Sequence, residues 1–267
     1  MLQHLDGATR LFVVIGDPIA QVKAPAGITA AMAARGRNAV LVPLHVTAAG
    51  VEACLAGLAR AQNLDGIVVT VPHKFTARRL CATVTERADF LGSVNIMRRG
   101  PRGGHAGWHG DMTDGLGFLG AIEAGGFRPQ GKRALQVGAG GAGTAIALAL
   151  LEAGLAELAL HDADAARRDA LLERLRARFG DRVRAGSADP AGYDLAVNAT
   201  PAGMRPGDPL PLDATRLEPT AFVGDVITVP EVTPLLAAAR ARGCATSTGV
   251  GMFDAARELM VDFLLGG

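Results

Sequence analysis

Residues 135–145 read Leu-Gln-Val-Gly-Ala-Gly-Gly-Ala-Gly-Thr-Ala, an apolar segment running straight into a glycine-rich turn and then an alanine-rich stretch. That order suits the binding of a pyrophosphate. The first glycine permits a tight bend, and the second lets backbone N–H groups approach the anion. The third lets the following helix pack on the strand, with the helix N-terminus facing the negative charge. Asp162 follows at about the ~20-residue distance at which an acid meets a ribose hydroxyl in dinucleotide-binding turns. Gly138, Ala139, Gly140, Gly141 and Ala142, with His161 and Asp162, are the candidate dinucleotide contacts.

Such a turn needs a strand before it and a helix after it, and the surrounding pattern supplies both. Strands are predicted at Ala134–Val137, Glu157–His161, Val183–Ala185, Leu195–Asn198, Ala221–Asp225 and Ala245–Thr248, with helices at Gly143–Ala153, Asp164–Phe179 and Pro234–Arg242. This repetition after a glycine turn implies a doubly wound sheet. Ahead of it, strands at Leu11–Ile15, Asn38–Pro43 and Gly66–Val71 alternate with helices at Pro25–Arg35 and Thr47–Ala61, a second α/β unit with a largely parallel sheet. A Gly- and Arg-rich hairpin or loop is predicted over Met97–Gly110, a helix over Thr113–Ala124, and a last helix over Asp254–Leu265. The fold expected is therefore α/β with two domains. An N-terminal substrate domain, 1–112, is rejoined by a C-terminal helix, 250–267. A Rossmann dinucleotide domain spans 113–249, and the active site lies in the cleft between the two.

The chain has 49% apolar residues but one Trp and one Tyr, so the core must be built from Ala, Val, Leu and Ile. A net charge of +1, with Arg interspersed among Asp and Glu, argues against a nucleic-acid groove or a basic membrane face. Cys54, Cys81 and Cys244 are odd in number and lack metal-ligand spacing. They read as buried thiols in a reducing compartment, and no metal is expected. No apolar stretch reaches the ~18 residues needed to span a membrane. The N-terminus shows no basic segment leading into a long apolar run. A cytoplasmic protein is expected, with a hydroxylated small molecule as its substrate and homodimerisation left open.

Eight segments in order then resemble the shikimate dehydrogenase family. They are Gly16-Asp17-Pro18-Ile19-Ala20 with Lys23 and Pro25; Val69-Thr70-Val71-Pro72-His73-Lys74; Gly92-Ser93-Val94-Asn95; Gly110-Asp111-Met112-Thr113-Asp114-Gly115; the glycine turn; Val197-Asn198-Ala199-Thr200-Pro201-Ala202-Gly203-Met204; Thr233-Pro234-Leu235-Leu236; and Gly249-Val250-Gly251-Met252. The resemblance covers nearly the whole length. It implies reversible oxidation of a ring hydroxyl to a ketone with a nicotinamide cofactor, and it makes Lys74 and Asp114 the catalytic pair. The residue types suit that role. An amine on a long stem can take the hydroxyl proton and return it, while a carboxylate beside it orients the ammonium. Thr70 and Asn95 match substrate positions, where a hydroxyl and an amide can each donate and accept. Asn198, Thr200, Met204, Val226, Gly249 and Met252 match positions around the nicotinamide end.

The chain also departs from the family pattern. Two serines that hold the substrate carboxylate in the family are Val22 and Ala24 here. Other polar positions are Val68, Ile96, Met112, Thr228 and Ala256. Because unpartnered buried charge is costly, these changes predict poor shikimate binding and another hydroxylated substrate. An ordinary shikimate or quinate dehydrogenase is the alternative, with Gln21 or Lys23 supplying the lost contacts. A dinucleotide-binding sensor is the alternative from another class. Asp162 stands where NADP-using members carry Arg, so the expected cofactor is NAD rather than NADP, with Arg167 and Arg168 as the opposing signal.

Overall fold

Phe12, Val13, Val14 and Ile15 are all buried because the strand that carries them is flanked on both sides. Strand β1 (Arg10–Gly16) pairs in parallel with β2 (Ala39–His45) and β3 (Leu64–Val69). Continuous apolar runs of this kind are characteristic of interior parallel strands. The structure, a computed structural model, describes residues 5–100 and 107–266. These fall into two units, Met1–Thr113 with Arg257–Gly267, and Asp114–Ala256.

The first unit holds a six-stranded sheet in the order β2-β1-β3-β5-β6-β4. Helices α1 (Ala24–Ala34) and α2 (Val51–Leu58) connect its first three strands. Beyond β3 the chain forms α3 (Lys74–Arg79), β4 (Cys81–Val84) and α4 (Glu86–Leu91), three short elements that the sequence pattern does not reveal. The stretch read as a hairpin does contain an antiparallel pair, β5 (Ile96–Arg99) and β6 (Trp108–Asp111). Its connection, residues 101–106, lies outside the described residues. Since β5 also runs antiparallel to β3, the sheet is mixed rather than wholly parallel.

The second unit opens with α5 (Asp114–Ala124) and holds a six-stranded parallel sheet ordered β12-β11-β10-β7-β8-β9. The strands are β7 (Arg133–Val137), β8 (Glu157–His161), β9 (Val183–Ala185), β10 (Leu195–Asn198), β11 (Phe222–Asp225) and β12 (Ala245–Ser247). Between them lie α6 (Gly141–Glu152), α7 (Ala165–Phe179) and α8 (Pro234–Ala241). From β7 the order proceeds to β8 and β9 on one side and to β10, β11 and β12 on the other. This reversal is the switch point at which doubly wound sheets bind ligands. Helix α9 (Gly249–Leu265) starts five residues earlier than its apolar pattern suggests. Thr248 Oγ1 accepts from the Gly251 amide at 3.1 Å and so caps its first turn.

Helix α5 is packed closely by its glycines. A Cβ at Gly115 would lie 2.2 Å from the Ala145 carbonyl oxygen of α6, and one at Gly117 would lie 2.6 Å from the Ala256 Cβ of α9. Backbones approach this closely only where no side chain intervenes.

Candidate active site

In the first unit the chemistry-bearing residues gather where β1, β3 and β6 end. Gly16 closes β1 against Thr70, where a Cβ would fall 2.4 Å from the threonine methyl. Thr70 donates its amide to Ile15 O (2.9 Å) and accepts from the His73 amide (3.0 Å). His73 is buried, and its Nε2 donates to Val46 O at 2.6 Å. Lys74 follows as the first residue of α3, 7% exposed, with its carbonyl accepting from the Val94 amide at 3.1 Å. The loop that carries the lysine is therefore tied to β1, to the segment after β2 and to the segment before β5.

Asn95 sits at the junction of three strands. Its amide donates to Asp111 O (3.0 Å) and its carbonyl accepts from Val69 N (2.7 Å). Its side chain faces Thr113, with Oδ1 accepting the Thr113 amide at 2.9 Å and Nδ2 donating to Thr113 Oγ1 at 3.0 Å. Asp111 is buried and accepts from Thr85 Oγ1, from Arg87 Nε (2.8 Å) and Nη2, and from the Met112 amide (2.7 Å). Sequence reading missed His73, Arg87 and Asp111 as contributors. Their partners lie between 24 and 27 residues away, except for the Met112 amide, and no periodicity links such distances.

Val22 is half-buried just before α1, and Ala24 is its buried first residue. Gln21 Nε2 donates to Pro18 O at 3.0 Å, within its own loop. Val68, Ile96 and Met112 are all buried and belong to the core.

In the second unit Asp114, 7% exposed, is the first residue of α5. The glycine turn joins β7 to α6. Gly138 has φ of 108°, and a Cβ there would stand 2.6 Å from Ala199 O. At Gly143 a Cβ would lie 2.2 Å from Gly138 O. Only glycine fits either place. Gln136 Nε2 braces the turn from below, donating to Gly138 O and Gly143 O at 2.8 Å each. Gly140 precedes α6 without a side-chain cap, and a Cβ there would meet nothing within 4 Å. With Gly141 and Ala142 beside it, this is an open helix N-terminus of the kind that receives a phosphate. The turn fits a dinucleotide.

Asp162 points into this turn. Its Oδ2 accepts the Ala139 amide at 2.7 Å and its Oδ1 accepts the Asp164 amide at 2.8 Å. His161, half-buried, holds the same turn through its carbonyl, which accepts the Gly138 amide at 2.8 Å. The outward charge at this rim is Arg167, whose guanidinium lies 3.7 Å from Asp162 and 3.3 Å from Asp164.

Across the switch point Asn198 is buried. Its Nδ2 donates to Asp225 Oδ2 and Ala202 O, and its Oδ1 accepts from the Thr200 amide and hydroxyl. Thr200 Oγ1 in turn accepts the Ala202 amide. Burial raises the Asp225 carboxyl above its ordinary value, although donors from Ile227, Asn198 and Thr233 oppose the shift. Gly249 is hemmed in by the Val226 and Ile227 carbonyls, each 2.4 Å from where its Cβ would be. Met204 and Val226 are half-buried and Met252 is buried. The structure thus brings Gly138, Asn198 and Thr200 together, and Val226 with Gly249. Ala256 lies apart from these, 2% exposed against Gly117, with almost no surface to offer a ligand.

The profile of the shikimate dehydrogenase substrate binding domain matches residues 14–97. The shikimate dehydrogenase (NADP(+)) of Rubrobacter xylanophilus is 42% identical over 255 residues, which covers 92% of this chain and 87% of the relative. Among solved structures, shikimate 5-dehydrogenase from Thermus thermophilus in complex with NADP(H) and shikimate superposes with a TM-score of 0.85. It is 31% identical and is covered to 94%, against 97% of this chain. Shikimate 5-dehydrogenase from Listeria monocytogenes, in complex with shikimate and NAD, gives a TM-score of 0.86 at 25% identity, covering 100% of this chain and 95% of that one.

The expectation of NAD does not survive this comparison, because the curated relatives are named for NADP(+). The physical reason lies in Asp162. The sequence shows a carboxylate at the end of β8 but not its direction: its oxygens accept backbone amides of the turn and of the segment leading into α7, so it holds the turn together, and Arg167 stands beside it as a cation. The chain belongs to the shikimate dehydrogenase family, NAD(P)-dependent oxidoreductases that act on a hydroxyl group.

Proposed function

We propose that this chain is an NADP-linked shikimate dehydrogenase, interconverting a ring hydroxyl of shikimate and the ketone of 3-dehydroshikimate. The observation that carries this reading is the 42% identity, along 92% of the chain, to an enzyme of that name. The chain itself carries Lys74 and Asp114 in the two motifs quoted above. Bound NADP supplies the hydride acceptor. Lys74 takes the hydroxyl proton as the carbinol carbon is oxidised and returns it in reverse. Asp114 accepts from the substrate hydroxyl. Thr70 and Asn95 offer a hydroxyl and an amide to the substrate's ring hydroxyls. Arg167, exposed in the first turn of α7, is the cation for the cofactor's 2′-phosphate.

Val22 and Ala24 give the substrate carboxylate no hydrogen bond, which favours a high KM for shikimate rather than a different reaction. A panel of shikimate, quinate and acyclic hydroxy acids, each with NADP, tests the proposal. Shikimate is expected to show the highest kcat/KM. Background turnover of shikimate beside clear NADPH binding would overturn it.

A further inference from the structure

Three consecutive residues lead from β6 into α5; the first and third are held by groups from other parts of the first unit, and the second is held by the first. The Asp111 carboxylate receives Nε and Nη2 of Arg87 and the hydroxyl of Thr85, both from the start of α4. The amide of Met112 turns back onto Asp111 Oδ1 at 2.7 Å. Thr113 is held at its amide and its hydroxyl by Asn95. The next residue is Asp114. The Asp111 side chain is 3% exposed and Arg87 is 38% exposed, so this ion pair is largely withdrawn from water on its acidic side. Two-point guanidinium–carboxylate contact fixes direction as well as distance, which a lysine cannot do.

We infer that Arg87 is a positioning residue for the proton-transfer step, acting through Asp111 to fix the strap Asp111–Met112–Thr113 that delivers Asp114. The inference rests on the reading of Asp114 as half of the proton-transfer pair. A displacement of about 1 Å at a reacting group costs on the order of 100-fold in rate. NADP binding draws on the glycine turn, away from this strap.

The test is steady-state kinetics on full-length Arg87→Gln, Arg87→Lys, Asp114→Asn and the double variant Arg87→Gln/Asp114→Asn. Active-site concentration is taken from NADPH-binding stoichiometry. Arg87→Gln is expected to lower kcat by about 10- to 100-fold with the KM for NADP within about threefold, and Arg87→Lys to recover only part of the loss. The decisive result is the double variant, which is expected to be no slower than Asp114→Asn alone, because a group that acts through another contributes nothing once that other is gone. Multiplicative losses in the double variant would overturn the inference, as would full kcat in Arg87→Gln. Should Arg87→Gln fail to fold, Arg87→Lys is read in the same way, alone and combined with Asp114→Asn, and parental kcat in it overturns the inference. Parental kcat in Asp114→Asn would instead remove the underlying reading, which separates the two failures.

Discussion

Between the end of β8 and the first turn of α7 an acid and a base stand side by side with different tasks. Asp162 is bound into the glycine turn, while Arg167 faces outward 3.7 Å away. Charge-assisted contacts to a phosphate contribute about 1.5–3 kcal/mol, so Arg167→Gln is predicted to raise KM for NADP by about 10- to 100-fold. The KM values for NAD and shikimate should stay unchanged, which parallel titrations of the three would show. At the substrate end, Val22 is half-buried and has no hydrogen-bonding group. Val22→Ser is predicted to lower KM for shikimate by about 10-fold, the worth of one hydrogen bond to a charged group, with little change in kcat. The residue types of the site could be read from the chain, but their directions could not. Asn95 was recognisable as an amide inside a motif. Its hold on Thr113 depends on an approach of β5 to β6 that exists only once the sheet has formed.

Among the elements, β8, β9 and β10 stand at the boundaries that their sequence predicts, because apolar runs bounded by turn residues mark them off. Helices α3 and α4 and strand β4 have six residues or fewer, too short to establish a period, and so they escape detection. The sequence places the start of helix α9 late because Gly249 and Gly251 look like loop residues, whereas close packing of Gly249 on two carbonyls requires glycine within its first turn. The glycine turn allows a paired prediction. Gly143→Ala forces a Cβ onto the Gly138 carbonyl and is predicted to destabilise the protein by about 1–3 kcal/mol and to weaken NADPH binding. Gly140→Ala projects into open space and should leave the melting temperature essentially unchanged; thermal unfolding of both variants makes the comparison.

Three strands also meet electrostatically at Glu157, which lies between Arg133 and Arg184. Burial pushes its carboxyl upward, but hydrogen bonds from the two arginines outweigh that and leave it below its ordinary value of 4.5. A lowered carboxyl stabilises the fold fully above the ordinary value, and the contribution is lost as pH falls through the lowered one. The urea midpoint of the parent is therefore predicted to drop more between about pH 7 and about pH 4 than that of Glu157→Gln, which should start lower and change less.

At the scale of the whole molecule, one unit carries Thr70, Lys74, Asn95 and the strap, and the other carries Asp114, the glycine turn and the loops across the switch point. The α/β alternation along the chain announced both sheets, and eight ordered motifs announced the family. The expectation of another substrate rests on hydrogen-bonding groups absent at single positions. Val68, Ile96, Met112 and Ala256 are well-packed apolar residues, so their polarity carries less weight than the identity maintained along the length. The most direct test of the account is kcat/KM for shikimate with NADP in the parent and in Lys74→Ala, with the variant's fold verified by NADPH binding. The account predicts robust turnover in the parent and a fall on the order of 100-fold or more in the variant, the contribution of a positioned proton-transfer group. Equal turnover in the two proteins would contradict it.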